Sequence, residues 1–554
     1  MPESESPSVW PVPRNEWTDI PVPELGGWNP TMRLSVVLPY YERSRALNRT
    51  LAGLAQQTYP MHLVQVIVAD DGSPTDRPNP PASFPFDLQI ETQAHQGFGA
   101  PRARNLGAKV AEGDILVFLD CDMIPERQHL EAHARWHHAA SRLVTVGFRF
   151  HAEFENLSPE QVSAAVRESR LADLISDGVI ERPEWIERHL KRTDHLTGPY
   201  EDMYRVMSSG NLGFDRDLFW ETGGFDESFN RWGGEDNELG YRAIQLGAVV
   251  VPERKAIAWH QGAGHEPSPE EAHSLWLQRA TMRQLITDPS FRAPLPGRSY
   301  TIPYLTVHVA PDGKDVESVG LTVSAILASE FTDLMVGIGS IDEADDGVWL
   351  ADSFNPDPRV HLEHSVADLE ERYPFTAARL TLPAGFGVDA DSIGRLISEV
   401  GGSGVGAVHI TLPGQSPYDR MAELRLTRAV NRANSLQSDD VDAVIGQLFG
   451  ERWVSGAASG FWVIEDAEEA RVRIRERRRT LTIPGLERDL AYAAAQLDLT
   501  TKDRDQLRAR RVLRLVDGLG ALVRSRSWTD LRQAFTAIGH SLNRVGTEEE
   551  HDPA

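Results

Sequence analysis

The ten residues DILVFLDCDM (114–123) set an apolar run against an acidic tripeptide, Asp120-Cys121-Asp122. An apolar run of this length predicts a buried strand. Carboxylates at its carboxyl end predict a ligand-facing edge, because open parallel sheets bind their ligands beyond the carboxyl ends of the strands. Toward the N-terminus, VQVIVA (64–69) is a second such strand and runs into Asp70-Asp71-Gly72-Ser73, while LSVVLPYY (34–41) is a third. Between those two, Leu47, Leu51, Leu54 and Ala55 recur at helical spacing and Pro60 closes the helix. The glycine-bearing turn QGFGAPRARN (96–105) opens another helix through Ala111. Strands alternating with helices predict an α/β fold with a parallel sheet covered on both faces. Two acidic clusters then leave parallel strands on one rim.

Toward the C-terminus, residues 155–205 read as helical and loop insertions. A glycine- and acid-rich block spans 209–247, and AVVVPE and AIAWHQG follow it, the latter carrying His260. Proline and glycine thicken over 289–303, which marks a domain boundary. Beyond it YLTVHVA (304–310), VGLTVSAILASEF and DLMVGIGS (333–340) repeat the strand–helix–strand pattern in weaker form. AARLTLPAGF (377–386) can be laid over DILVFLDCDM, with Pro383, Ala384 and Gly385 where the first half has Asp120, Cys121 and Asp122, and Gly339-Ser340 set against Asp70-Asp71. The expected plan is therefore a proline-rich arm over 1–32, extended on a neighbouring domain or disordered, and an α/β domain over 33–290. A second α/β domain follows over 300–470, either a degenerate repeat of the first or an unrelated one, and then a basic helical region over 471–554. Residues 471–545 hold 17 basic and 8 acidic side chains. They suit an anionic membrane surface or an acidic partner, but the interleaved Asp and Glu favour a helical hairpin packed on the acidic body with its arginines solvated.

Composition narrows the function. The chain has 554 residues, with 56 basic against 82 acidic side chains and a formal charge of −26. That sign argues against general nucleic-acid binding, which needs a basic footprint. A single cysteine, Cys121, excludes a disulfide framework and a cysteine-ligated zinc site. The acidic, proline-rich N-terminus is no secretory signal. The most apolar window, near 316–340, is broken by Glu317, Glu330 and Asp333, short of a membrane span. The expectation is a cytoplasmic protein without its own membrane anchor, peripheral to the inner face of the membrane at most through 471–545.

An Asp-x-Asp at a strand end suits Mg²⁺ or Mn²⁺, hard cations that take one or two carboxylates, waters and substrate phosphates. In WGGEDNELGYR (232–242) two glycines permit close backbone approach, and Glu235 and Asp236 lead a helix. The pair reads either as a plain helix start or as a general base with an orienting partner. His260 reads as a core histidine or a metal ligand. His129, His133 and His137 share one helix face, but Leu130 stands where a zinc protease needs Glu, so they read as a partly exposed helix face and not a metal site.

Taken in order, VVLPYYER, VIVADDGS, GAPRARNLGA, FLDCD, GGFDESFNRWGGEDNELGYR and WHQG resemble family 2 glycosyltransferases with the GT-A fold, of the bacterial chondroitin-polymerase and galactosyltransferase C-terminal module type. The likeness covers about 33–265. It implies a nucleotide-sugar donor, usually UDP-linked, and transfer to a carbohydrate, lipid-linked or protein acceptor, with inversion. By position it implies that Pro39, Glu42 and Asp70 or Asp71 line the nucleoside pocket with Arg104 and Asn105 near it. Asn211 falls at a donor-site position. Asp120 and Asp122 correspond to the metal and ribose-phosphate site, with His260 as the later metal ligand. Trp232, Glu235 and Asp236 match the acceptor-side motif, with Asp236 as base and Glu235 beside it. The rival readings are a non-catalytic glycosyltransferase-like scaffold or a carbohydrate-binding protein. A nucleotidyltransferase is disfavoured, because no basic glycine-rich loop follows the first strand. A homo-oligomer remains open.

Overall fold

Alternate residues of the first strand go to opposite faces of its sheet and find different helices. Val36 and Leu38 pack with Leu47, Leu51 and Leu54 of helix α1 (Ser44–Leu54), whereas Val37 packs with Ala108 of helix α2 (Ala100–Val110). Burial on both faces is why these strands read as unbroken apolar runs. A computed structural model describes residues 11–476, except 82, 176–182, 199–200, 263–267, 293–298, 342–343, 355, 363, 402–403 and 415–420.

The first domain contributes β1 (Leu34–Tyr40), β2 (Val64–Asp70), β3 (Asp87–Thr92), β4 (Ile115–Leu119), β5 (Met123–Pro125), β6 (Leu143–Ala152), β7 (Asn211–Asp215) and β8 (Val249–Gln261). They form one sheet in the order β3-β2-β1-β4-β7-β6-β8-β5. β7 runs antiparallel to both neighbours, β6 and β8 are parallel, and the far end of β8 pairs antiparallel with β5.

The second domain contributes β9 (Leu305–Ala310), β10 (Leu334–Ile338), β11 (Val360–His361), β12 (Ala378–Pro383), β13 (Phe386–Val388), β14 (Ala407–Thr411), β15 (Met421–Leu426), β16 (Glu451–Ser455) and β17 (Phe461–Val463). Its main sheet runs β11-β10-β9-β12-β15-β14-β16. This is the order of the first sheet, strand for strand, with β15 as the antiparallel member and β14 parallel to β16. The antiparallel β13–β17 pair stands where β5 meets the end of β8, so the single long β8 is divided into β16 and β17. The second domain is thus a repeat of the first topology, and its register matches the two halves residue by residue. Met123 pairs with His260, and Phe386 pairs with Val463. Asp120, Asp122 and His260 therefore correspond to Pro383, Gly385 and Val463. Leu34 lies opposite Val64, and Leu305 opposite Leu334. That register sets Ser340 and Ile341 against Asp70 and Asp71, one residue on from the Gly339-Ser340 match expected from the sequence.

The apolar window near 316–340 resolves into the helix Val316–Leu327, a turn and β10. Among the described residues no helix is long and apolar enough to cross a membrane. Of the N-terminal arm, residues 11–32 lie on the body as turns with a short 3-10 helix, Trp17–Asp19, rather than as one extended stretch. Asn15 is buried and bonds Leu196 O and both backbone groups of Val250, and Glu131 accepts from Gly26 N and Trp28 Nε1. Residues 1–10 and 477–554, including nearly all of the basic region, lie outside the described residues.

The two domains are joined through the helix Thr427–Ser435. Arg432 is buried and donates to four carbonyls, Gly247 O, Ala248 O, Val12 O and Arg14 O, so it ties the second domain to the first and to the arm. Gly247 has φ +85°, and a Cβ there would lie 2.8 Å from Arg432 N, so the close approach needs glycine. Burial pushes the Arg432 pKa down to about 9, which leaves it charged at neutral pH.

Candidate active site

A cleft of about 420 Å³ opens at the carboxyl ends of β1, β2 and β4. Its wall includes Pro39, Tyr41, Arg43, Asp71, His95, Arg104, Asp120, Asp122, Trp232, Glu235 and His260. Of the residues expected at the site, the structure brings eight to this wall: Pro39, Asp71, Arg104, Asp120, Asp122, Trp232, Glu235 and His260.

On one side, Asp71 is buried and accepts from Gln93 Nε2 at 2.6 Å and Arg102 at 3.4 Å, with His95 Nδ1 at 2.8 Å. A Cβ at Gly99 would sit 2.1 Å from Asp71 Oδ2, so the loop before α2 can close over this carboxylate only with glycine there. His95 stacks on Tyr41 with ring centroids 4.5 Å apart and planes 19° from parallel. The pair makes a flat aromatic ledge at the cleft wall.

At the floor, Arg104 is buried, donates to Asp120 Oδ1 at 2.8 Å and lies 3.5 Å from Glu235 Oε1, with its guanidinium over the Phe225 ring. Asp122 Oδ2 accepts from Arg43 at 2.6 Å and lies 3.6 Å from His260 Nε2. Burial and the charge of Asp120 raise the Asp122 pKa, against His260 and Arg43. The three-residue metal set expected from the resemblance is not assembled. Asp120 faces Arg104, and among the described residues no three His, Cys, Asp or Glu side chains converge closely enough for a metal ion. Asp122 and His260 do fit one. Two bonds of about 2.1 Å can span their separation, and an imidazole and a carboxylate leave the other positions to phosphate oxygens and waters.

On the far side, Gly233 and Gly234, both at positive φ, turn the chain into the helix Glu235–Gln245. Burial and the neighbouring Asp236 charge push the Glu235 carboxyl up to about 8, while Arg104 pulls the other way. Among the described residues Glu235 Oε2 is buried without a hydrogen-bond partner, and the residue lines the cleft. Asp236 accepts from Ser209 N at 3.1 Å and is partly exposed.

Four expectations are corrected. Glu42 turns away from the cleft and accepts from the Thr75 and Asp76 backbone. Asp70 caps its own loop by accepting from Ser73 N and Oγ. Asn105 is locked to Phe225 N and O. Asn211 lines no donor pocket: its amide donates to Phe148 O and Ala256 O, and Oδ1 accepts from His129 and His133 at 2.7 and 2.9 Å. The histidine face of helix α3 (His129–Ala139) is accordingly not partly exposed. His129, His133 and His137 are fully buried, with Thr145 and Asp215 completing the network. In sequence a polar helix face gives no sign that polar partners wait beneath it. The residues missed at the cleft are Tyr41, Arg43, His95 and Gly99. The first two stood in the quoted VVLPYYER stretch, but only the structure places Tyr41 against His95 and Arg43 against Asp122.

A mixed β-sheet with β7 and β5 as its antiparallel members, carboxylates at its strand ends and an acid-led helix across the cleft make up the architecture of the GT-A fold. Residues 35–222 match the model of glycosyl transferase family 2, and this part of the chain is a family 2 glycosyltransferase domain. The chain is 31% identical over 273 residues to Escherichia coli chondroitin synthase, covering 47% of this chain and 39% of that one. It is 32% identical over 251 residues to validoxylamine A glucosyltransferase of Streptomyces hygroscopicus subsp. jinggangensis, covering 43% and 57%. The chain thus spans well under two thirds of either relative. Among solved structures, a Pyrobaculum calidifontis mannosyltransferase in complex with GDP-Man and Mn²⁺ aligns over 49% of this chain and 66% of its own, at 16% identity and a TM-score of 0.29.

Proposed function

We propose that the chain transfers a sugar from a nucleoside-diphosphate donor, UDP-linked, to an acceptor hydroxyl with inversion, in the synthesis of a polysaccharide or glycoconjugate. The observation that carries this reading is the placing of Asp122 and His260, 3.6 Å apart, in the same cleft as Glu235. Asp122 and His260 would hold Mn²⁺ or Mg²⁺, which when bound neutralises charge on the departing diphosphate. The Tyr41–His95 ledge offers a stacking face to the nucleobase, and Trp232, 44% exposed, offers one to the acceptor sugar. Burial favours the protonated form of Glu235, and Asp236, partly exposed beside it and accepting from Ser209 N, is the carboxylate we assign to take the proton of the attacking hydroxyl. Arg104 keeps Asp120 and Glu235 in register.

The second domain presents Pro383, Gly385 and Val463 at the metal positions, so one donor site per chain is expected. Titration calorimetry with UDP and Mn²⁺ should give a stoichiometry near one and lose the signal in Asp122→Ala. Unchanged UDP binding in chelator sinks the metal assignment, and a second site surviving in the variant sinks the single-site reading. Asp236→Asn should keep donor binding and cut transfer by roughly 10²-fold. A non-catalytic scaffold would show binding but no donor turnover with any acceptor.

A further inference from the structure

The two arginines at the acidic tripeptide differ in freedom. Arg104 is buried and held by Asp120, Glu235 and the Phe225 ring. Arg43 stands at the start of α1 with its side chain 57% exposed, and its partner oxygen is Asp122 Oδ2, at 2.6 Å. That oxygen is also the one facing His260 Nε2 at 3.6 Å, so a divalent cation held by the pair would bind the same oxygen that the guanidinium holds. Two cations do not share one carboxylate oxygen at close range without strong repulsion.

Resting on the nucleotide-sugar reading of the cleft, we propose that Arg43 is an exchangeable counter-ion: it holds Asp122 in the empty cleft, gives it up to the divalent cation, and turns to the donor diphosphate. Leaving costs Arg43 little, because it is half in water and has no second partner to break among the contacts described for it. It remains on the cleft wall, and its planar fork of donors matches phosphate oxygens. The duplicated domain shows the same position without the carboxylate. Counting from the paired strands β1 and β9, Arg43 corresponds to Lys314 and Asp122 to Gly385. Lys314 is exposed and lies over Gly385, its Cε 3.0 Å from where a Cβ would be. The fold thus keeps a long cationic side chain at this helix mouth with no carboxylate beneath it.

Three variants of the full chain test this: Arg43→Gln, Arg43→Lys and Asp122→Ala, each first checked for an unchanged melting curve. Binding of Mn²⁺ alone is read from the loss of the free-ion electron paramagnetic resonance signal, and binding of UDP at saturating Mn²⁺ by calorimetry. Arg43→Gln should bind Mn²⁺ alone about fivefold more tightly than wild type, the scale of one partly exposed ion pair, yet bind UDP with Mn²⁺ more weakly. Arg43→Lys should restore both. Arg43→Gln binding Mn²⁺ no more tightly than wild type overturns the exchange. Asp122→Ala binding UDP and Mn²⁺ like wild type overturns the nucleotide-site reading instead, so the two failures are distinguishable.

Discussion

Glu235 and Asp236 are neighbours in sequence with opposite surroundings. The first is buried against Arg104 and the second reaches water, so burial divides their roles where residue type does not. Glu235 ionises near 8 in the fold and near 4.5 when unfolded. The folded state therefore binds the extra proton between those values, and stability falls as pH rises through them. Glu235→Gln mimics the protonated form. It should melt above wild type at pH 9 and close to it at pH 5, measured by thermal denaturation. Equal melting temperatures at pH 9 would show that Glu235 is not held protonated.

Helix α3 illustrates the same logic at the scale of an element. Its three histidines meet Asn211, Thr145 and Asp215 under the sheet, and burial pushes His129 down to about 4 and His133 down as well. Their unfolded pKa is near 6.5, so the unfolded chain takes up protons first as pH falls, and the native state loses stability between about 6.5 and 4. His129 alone accounts for about 3 kcal/mol of that loss. Denaturant midpoints should drop across this window, and the drop should shrink in His129→Gln. Asn211→Ala removes the acceptor of two imidazole N–H groups and a donor to two backbone carbonyls, and should cost about 3 kcal/mol or more. A milder loss would mean that water replaces the amide.

For the whole molecule the decisive feature is a fold written twice and bolted together by buried polar contacts. Arg432 donates across the junction to four carbonyls, Tyr241 donates to Phe375 O, and Arg292 pairs with Asp333. Arg432→Ala strips those carbonyls of their donor, and a loss of about 3 kcal/mol is expected. Calorimetry should then separate one unfolding transition into two. A single transition at the wild-type temperature would show that apolar contacts alone couple the domains. At the positions of Asp120, Asp122 and His260 the copy has Pro383, Gly385 and Val463, none of which carries a side-chain carboxylate or imidazole.

The sequence alone determined the strands, the helices between them and the rim where the carboxylates gather, because apolar runs and 3.6-residue periodicity are local signals. It also carried the overlay of residues 377–386 on 114–123, since strand ends mark themselves by composition. Whether that overlay meant a repeated fold was settled by strand order, which depends on pairings across more than a hundred residues. Tertiary structure also decided which polar residues face the cleft. Asp70 carries the same carboxylate as Asp71 and Asp120, and Asn105 and Asn211 are as polar, but nearer backbone, hydroxyl and imidazole partners consume their groups. A hydrogen bond is won by whichever partner the fold brings within about 3 Å, and no local pattern encodes that distance.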